Sequence, residues 1–262
     1  MKVLKPNPVV ELKDLKMEWR STRVLDKLNF SIFPGERVAI VGPSGSGKST
    51  ILRILAGLLL PSEGTLNLFG KPQKYLRLDQ NDPPDVRIVF QNPALLGSLT
   101  VEENVGFLLR RTNTLNEEEI TQRVNSCLKE VGLYDIAEKF PGQLSGGMQK
   151  RVSFARALIN QNTEESSIPL LLYDEPTAGL DPIASTRIED LIIKTNDYAK
   201  GSSIVVSHVL STIERSSNKI FLLYDGKFQW VGSVKEFKET DDSYVKQFRT
   251  GSLHGPIQHK EN

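Results

Sequence analysis

The sequence predicts an α/β fold with a mostly parallel sheet, crossover helices and a strand-rich N-terminal region. The apolar runs Leu170–Tyr173 and Ile204–Ser207 flank a helical segment near Ile188–Thr195. Strand–helix–strand alternation of this kind is typical of parallel strands joined by crossover helices. A further apolar run, Arg37–Val41, enters a glycine-rich loop that a helical pattern follows. Together these observations indicate strands and helices that alternate along the chain.

The N-terminal region reads as strands followed by one helix. Apolar residues recur at short intervals through the first forty positions, which is typical of strands, and Pro34 and Gly35 mark a turn. Arg37–Val41 is a short buried strand. Lys48–Leu60 is predicted to be a helix that stops at Pro61, because proline lacks the backbone donor that a continuing helix needs.

The middle section has a strand at Arg87–Phe90 and then amphipathic helices. Asn116 and Glu119 have the spacing of a capping box, which begins a helix. The apolar residues that follow lie on one helical face: Ile120, Val124, Cys127, Leu128 and Val131. Cys127, the single cysteine, is therefore expected to be a small buried hydrophobe and not a reactive thiol.

A loop and a second amphipathic helix follow. Gly142–Gly147 is predicted to be a loop. The second helix is indicated by apolar residues at helical spacing: Met148, Val152, Ala155 and Ile159.

The C-terminal part reads as a hairpin and a helical tail. Ile220–Tyr224 and Phe228–Val231 are strands that Asp225 and Gly226 join in a tight turn. Val234–Phe248 is predicted to be helical, and the last residues, 251–262, to be loose.

Composition narrows the class of protein. The 262 residues suit one domain or two closely joined ones. A net charge of +1 argues against broad electrostatic capture of nucleic acid or anionic membrane. The longest apolar run, Ile54–Leu60, is far shorter than the roughly 20 residues of a membrane-spanning helix. Residues 1–20 resemble neither a signal nor a transit peptide, so the expectation is a soluble intracellular protein.

A phosphate-binding loop is the strongest chemical signal. The strand Arg37–Val41 leads into a segment that fits the pattern G-x-x-x-x-G-K-[ST] and opens a helix. Glycines let backbone N–H groups approach phosphates closely, and the helix N-terminus adds unpaired donors. Lys48 would contact the β- and γ-phosphates, and the Ser49 hydroxyl would be a Mg²⁺ ligand. The expected nucleotide-binding residues are Gly42, Pro43, Ser44, Gly45, Ser46, Gly47, Lys48, Ser49 and Thr50.

Two acids end the apolar strand at Leu170–Tyr173. Asp174 matches the strand-end aspartate that assists Mg²⁺ beside such a loop, and Glu175 is placed to accept a proton from an attacking water. His208 follows another strand and could contact the γ-phosphate and that water. A lone histidine at a strand end is more often structural, so its position alone does not assign this role.

The segment Leu144–Gln149, LSGGMQ, resembles the signature of ABC transporter nucleotide-binding subunits. It departs from LSGGQ in one residue, Met148. The resemblance extends over about residues 9–257, and it implies a P-loop NTPase of RecA-like topology. An N-terminal antiparallel β subdomain and an inserted ABC-type helical subdomain would complete the fold.

The same resemblance assigns further residues. Gln91 resembles the Q-loop glutamine, and Asp181, in the segment AGLD, resembles the D-loop aspartate. His208 resembles the switch histidine, although Val209 replaces the aspartate that often follows it. Trp19 falls where the family places an aromatic that stacks on adenine, although a buried strand aromatic would look the same.

By this resemblance the catalytic residues are Lys48, Gln91, Glu175 and His208. The ligands of Mg²⁺ would be Ser49, Gln91 and Asp174. The signature residues Ser145, Gly146 and Gly147 would contact ATP held by a second subunit, because the family forms head-to-tail homodimers. A serine hydroxyl, glycine N–H groups and a helix N-terminus suit a second phosphate-binding surface.

The resemblance also implies a division of one ABC ATPase domain, 1–262, into parts. The catalytic core with its β subdomain would take about residues 1–90 and 165–231. The helical subdomain would take about 92–162, and the helical tail 232–262.

Longer segments resemble one branch, the Mla-type lipid-transport ATPases and their cyanobacterial and chloroplast relatives. These segments are residues 90–105, 174–183 and 245–256, of which the last is the most specific. The polar stretch Gln161–Ser167 also suits the chloroplast-type branch, and the lack of a transit peptide favours a bacterial, cyanobacterium-like source.

This branch implies an ATPase that powers phospholipid-type transport. Its partners would be a membrane permease and an MCE-domain lipid-binding protein, with no nucleic acid. The segment Gln91–Val101, uncharged and rich in apolar residues, would be the docking surface. The expected location is the cytoplasmic face of the inner membrane. Another cargo remains open (an amino acid, a metal chelate or an exported lipoprotein), as does a non-transport ABC ATPase acting on DNA or the ribosome.

Overall fold

A computed structural model describes residues 6–112, 115–159, 169–199 and 201–258. The polar stretch Gln161–Ser167 lies outside these residues. Among the helices of the described ranges, none combines the length and the apolar character that crossing a bilayer requires.

The strands of the described residues form two sheets. They are β1 (Val10–Trp19), β2 (Thr22–Ile32), β3 (Arg37–Val41), β4 (Glu63–Leu68), β5 (Lys71–Pro72), β6 (Val86–Val89), β7 (Leu170–Asp174), β8 (Ser202–Val206), β9 (Lys219–Tyr224) and β10 (Lys227–Ser233). An antiparallel sheet has the order β2-β1-β4-β5, and a larger sheet has the order β10-β9-β3-β8-β7-β6. In the larger sheet, every pairing is parallel except the β9–β10 hairpin, which confirms the predicted α/β class.

The helices lie on both faces of the larger sheet, and some of them pack mainly on other helices. They are α1 (Lys48–Leu55), α2 (Val101–Thr112), α3 (Glu117–Glu130), α4 (Gly146–Leu158), α5 (Pro182–Ala199), α6 (Leu210–Ser216), α7 (Val234–Glu239) and α8 (Ser243–Thr250). The predicted capping box is present, since the Asn116 side chain accepts from the Glu119 amide and the Glu119 side chain accepts from the Asn116 amide. Cys127 is half-buried, and burial raises the pKa of its thiol to about 11, which keeps it protonated at neutral pH.

Alternate residues of the central strands divide between two cores. Val38 and Ile40 pack with α1 and the antiparallel sheet. Ala39 and Val41 pack on the other face with residues of α2 to α8. Since successive side chains of a strand point to opposite faces, this sheet is buried on both sides and its strands are apolar throughout.

Several predicted boundaries are wrong for local reasons. α1 ends at Leu55 and not at Leu60, because Gly57 adopts a φ of +70° and its amide bonds to the Ile54 carbonyl, which closes the helix before Pro61 is reached. The predicted loop that ends at Gly147 ends earlier, because the Ser145 side chain caps α4 and helix begins at Gly146.

The chain after the last strand also differs from prediction. Asp242 caps α8, so the single helix predicted for Val234–Phe248 is two helices. Residues 251–258 are not loose. Gln247 donates from Nε2 to the Ser252 and Ile257 carbonyls (3.2 and 2.8 Å), and its Oε1 accepts from the Ile257 amide (2.7 Å). Gly255 lies so close that a Cβ there would be 2.3 Å from Gln247 Oε1.

We expect Gln247→Ala to release residues 251–258 while the sheets stay folded. The substitution removes three hydrogen bonds, and each buried polar group left without a partner costs about 1–3 kcal/mol. Hydrogen exchange of the Ile257 amide should accelerate by at least about tenfold. Lys246→Ala, on the exposed side of the same helix, is the control. Unchanged protection of Ile257 in the Gln247 variant would show that other contacts hold this segment.

Candidate functional site

The phosphate-binding loop lies between β3 and α1, and two of its glycines fit where no other residue would. A Cβ on Gly42 would lie 2.1 Å from the Leu223 carbonyl oxygen. Gly47 has a φ of +100°, and a Cβ there would lie 2.8 Å from the Leu25 side chain. The loop can therefore present backbone N–H groups closely only because these positions carry no side chain.

The centre of this loop holds a buried cation and a hydroxyl without a partner. Lys48 is 8% exposed, and its Nζ donates to the carbonyls of Gly42 (2.9 Å) and Pro43 (2.8 Å). Burial lowers the pKa of Lys48, and the carboxylates of Glu175 and Asp174 oppose that shift. The Ser46 hydroxyl is buried with no hydrogen-bond partner among the described residues. A phosphate chain, with its dense negative charge and many acceptor oxygens, matches this donor set.

Asp174 meets the loop across the sheet. It is 8% exposed at the end of β7, and Ser49 Oγ donates to its Oδ1 at 2.9 Å although the two residues are 125 positions apart. Burial raises the pKa of Asp174 and the neighbouring Glu175 raises it further, while the Ser49 hydrogen bond lowers it. The paired hydroxyl and carboxylate provide oxygen ligands of the kind that Mg²⁺ prefers.

Glu175 and His208 complete this group. Glu175 has a left-handed φ of +44°, and its amide donates to the Val206 carbonyl at 2.9 Å. His208 Nδ1 lies 3.0 Å from Glu175 Oε1, and the imidazole is largely exposed. A left-handed backbone at a residue with a side chain costs free energy that the surrounding contacts must offset. The carboxyl ends of β3, β7 and β8 thus bring together Lys48 and the residues that sequence placed beside it.

The remaining residues of the phosphate-binding loop lie at its entrance or on α1. Pro43 and Ser44 border, with His208, a cavity of about 540 Å³ whose far wall is the folded C-terminal segment, including Leu253 and Ile257. Gly45 is exposed and Thr50 is half-buried on α1. The sequence does not predict C-terminal residues at the nucleotide site, since their composition indicates a loose end.

The signature lies elsewhere. Ser145 and Gly147 line a separate cavity of about 260 Å³ together with Asp181 and Arg187. Ser145 Oγ accepts from the Met148 amide at 3.3 Å. Gly146 and Gly147 face open space, since a Cβ added at either position would meet no neighbouring atom of the described residues within 4 Å.

Asp181 caps the helix that forms the other wall of this cavity. Its Oδ1 accepts from the amides of Ala184 (3.0 Å) and Ile183 (2.9 Å), and these bonds lower the pKa of the carboxyl. None of the phosphate-loop residues, all of which the structure describes, lines this cavity. The phosphate loop and the signature cavity are therefore separate features of the described chain.

Gln91 and Trp19 are exposed. Gln91 follows β6 after one residue, and Trp19 ends β1 with 51% of its surface accessible. The hairpin that carries Trp19 adjoins the phosphate loop through Val24 and Leu25, which border Gly47. Trp19 is thus not the buried strand aromatic that the alternative interpretation required.

The roles of two cationic residues of α4, Lys150 and Arg156, were not predicted from the sequence. Lys150 Nζ donates to the carbonyls of Pro176 (3.0 Å) and Ala178 (2.6 Å). Arg156 donates to the carbonyls of Pro93 (2.9 Å) and Ala94 (2.8 Å). One sequence signal was available. The four consecutive residues Val152–Ala155 are too many for the single apolar face of an amphipathic helix, so they indicate a helix that is buried on most sides. Cations on such a helix need hydrogen-bond partners.

Comparisons with known proteins agree on one family. Residues 25–178 match the family described as ABC transporter. The chain is 44% identical to protein TRIGALACTOSYLDIACYLGLYCEROL 3, chloroplastic, of Arabidopsis thaliana, over 96% of this chain and 76% of that protein. It is 33% identical to the intermembrane phospholipid transport system ATP-binding protein MlaF of Haemophilus influenzae, over 96% and 94%.

A solved structure agrees as well. The chain superposes with a TM-score of 0.75 on an ATP-binding cassette whose dimer was solved in a post-hydrolysis state with ADP and Pi. The two are 32% identical, and the match covers 86% of this chain and 98% of that one.

We expect Asp174→Asn to stabilise the nucleotide-free protein at neutral pH. Because the folded carboxyl has a raised pKa, stability falls as pH rises from the ordinary aspartate value through the raised one, and the ionised group is unfavourable above it. Asparagine keeps an acceptor for Ser49 without the charge. Thermal melting should show a higher Tm for the variant at pH 7 and a smaller difference near pH 4.

Asp241→Asn is the matched control, since the Asp241 side chain is 95% exposed and its substitution should change stability by less than about 0.5 kcal/mol. A lower Tm for Asp174→Asn at pH 7 would mean that the charge stabilises the fold.

Proposed function

The chain belongs to the ABC transporter family, and from that premise we propose that it is the ATP-hydrolysing subunit of a lipid transporter with a separate membrane permease. Family membership implies ATP binding and hydrolysis. One observation carries the mechanism: Lys48, Ser49, Asp174 and Glu175 meet at one sheet edge, whereas Ser145 lines another cavity. This separation supports a nucleotide site that is completed by a second subunit.

ATP would occupy the phosphate loop. The Lys48 ammonium would exchange its two carbonyl acceptors for the β- and γ-phosphates, and the unpartnered Ser46 hydroxyl would gain an acceptor. Trp19 would stack on the adenine. Ser49, Gln91 and Asp174 would hold Mg²⁺, which supplies positive charge to the phosphate oxygens.

Glu175 is the proposed general base. It would accept a proton from the water that attacks the γ-phosphorus, as the bond to the β-phosphate oxygen breaks and ADP leaves. His208, whose Nδ1 is 3.0 Å from Glu175 Oε1, would contact the γ-phosphate and orient the carboxylate. Gln91, the first residue of the proposed docking segment, would contact the Mg²⁺ ion beside the γ-phosphate.

A head-to-tail homodimer would complete each site. Ser145 and the open positions Gly146 and Gly147 would offer a hydroxyl and backbone N–H groups to ATP on the partner. Asp181, beside them, would lie at the same interface. The dimeric state of the similar solved cassette supports this arrangement.

The proposed cargo is a phospholipid or a related polar lipid. Two relatives support it through their names, one an intermembrane phospholipid transport protein and the other named for a galactolipid. The permease would dock on Gln91–Val101, where Arg156 fixes the Pro93 and Ala94 carbonyls. An MCE-domain lipid-binding protein would be part of the complex, and this ATPase subunit would lie on the cytoplasmic face of the membrane.

We expect Glu175→Gln to bind ATP but to lower the hydrolysis rate by about 10²–10⁴-fold, since an amide cannot act as the base. The trapped protein should elute as a dimer with ATP and as a monomer without it. Glu239→Gln, an exposed matched substitution, should hydrolyse ATP at the unsubstituted rate. Normal turnover by the Glu175 variant would mean that another group is the base.

Two inactive variants should restore activity when mixed. Lys48→Ala loses the phosphate loop, and Ser145→Arg loses the signature. In a mixed head-to-tail dimer one site has both defects and the other has neither, so an equal mixture should recover up to about a quarter of normal activity. Each variant alone should be inactive. Hydrolysis by Ser145→Arg alone would contradict the shared site.

The cargo and docking proposals are tested on membranes of the source cell. Tagged full-length protein should co-purify with a polytopic permease, an MCE-domain protein and bound lipid. Leu96→Asp, in the docking segment, should lose the permease while it binds ATP. Val231→Asp is the control, because both side chains are 46% exposed. Recovery of ribosomes or DNA, or of a permease with a soluble-cargo receptor, would refute lipid transport.

A further inference from the structure

We propose that Lys150 is a positioning residue for hydrolysis, which fixes the loop that carries Glu175 of its own chain. The inference rests on the proposed function, because it assigns Glu175 the role of base. It adds a residue of the signature helix that does not line the signature cavity and whose Nζ donates to the loop after Glu175.

The contacts of Lys150 are specific. Its side chain rises from α4 and is 7% exposed. Nζ donates to the Pro176 carbonyl at 3.0 Å and to the Ala178 carbonyl at 2.6 Å. Both acceptors belong to the loop between Glu175 and Asp181, and they flank Thr177.

This loop has strain that must be balanced by contacts. Glu175 has a φ of +44°, which is unfavourable for a residue with a side chain. The Ala178 amide donates to the Glu175 carbonyl at 3.1 Å, so a shift at Ala178 is felt at Glu175. Thr177 Oγ1 lies 3.0 Å from Thr212 Oγ1 of α6, which holds the loop from the other side. Lys150 and Thr212 therefore hold the loop that follows Glu175 from two sides.

Burying the Lys150 ammonium costs free energy, because the charge loses its hydration. Burial lowers the pKa of Lys150, and the Glu175 carboxylate opposes the shift, so the two charges interact. A hydrogen bond from a charged donor is stronger and shorter than one from a neutral donor. The ammonium therefore gives the loop a rigid attachment and places a positive charge near the base.

The alternative is that Lys150 merely supports α4 and hence the signature. The two roles act on different sites of a dimer. The signature serves the nucleotide of the partner, whereas Glu175 serves the nucleotide of its own chain. Mixed dimers of the two inactive variants separate them, because such dimers have a single working site whose two contributing chains are known.

The experiment places Lys150→Met on one chain at a time, in full-length subunits assembled with their permease. In the first mixture the Ser145→Arg chain carries it, so the substitution is in the chain with the working Glu175. In the second mixture the Lys48→Ala chain carries it, and that chain lends only its signature. We expect the first mixture to lose at least about tenfold in kcat, with KM for ATP within about twofold, and the second to keep the activity of the parent mixture.

Equal losses in both mixtures, or a loss in the second alone, would overturn the proposal. Lys150→Arg should recover most of the activity in the first mixture, because a guanidinium can donate to both carbonyls. Lys129→Met, an exposed lysine at the end of α3, is the matched control. If Lys150→Met unfolds the chain, as melting would show, Lys150→Gln takes its place, since its amide retains a donor. An inactive parent mixture would instead count against the proposed function.

Discussion

The parallel pairing of β7, β8 and β3 is the constraint on which the site depends. Residues 125 positions apart form a hydrogen bond, Ser49 to Asp174, only because the carboxyl ends of these strands meet at one edge. Each strand is buried on both faces, so a slip in register would expose apolar side chains and displace the loops together. The geometry of the charges is thus inherited from the packing of the sheet.

The charges themselves work against the fold. Burial lowers the pKa of Lys48 and raises that of Asp174, which means that each charged form is unfavourable where it lies. Opposite charge nearby offsets part of this, and backbone carbonyls offset more. A polyanion with a divalent cation would satisfy both groups at once, and a site that is already organised needs little rearrangement when its ligand binds.

The sequence predicted the parallel sheet and the convergence of the charged residues, because glycine spacing, apolar runs and acids at strand ends are local signals. The structure confirms the parallel sheet and the capping box at Asn116, and Lys48, Asp174 and Glu175 converge where they were expected. Prediction failed where the signal is a contact distant in sequence. Lys150 and Arg156 look like surface cations until the carbonyls they meet are known, and Gln247 gives no local sign that it holds Ile257.

Helix α4 is attached to two loops and also carries the signature at its N-terminus. Its N-terminus presents Ser145 outward, its first turns attach to the loop of Glu175 through Lys150, and Arg156 attaches to the segment after Gln91. Each attachment joins a cation to backbone carbonyls, so it constrains the path of a loop and not only a side chain. The regular backbone hydrogen bonds of an α-helix keep its attachment points at fixed spacing along the axis, so these attachments also set the positions of the two loops relative to each other. The segment after Gln91 and the loop after Glu175 are therefore attached to one helix, the helix that carries the signature.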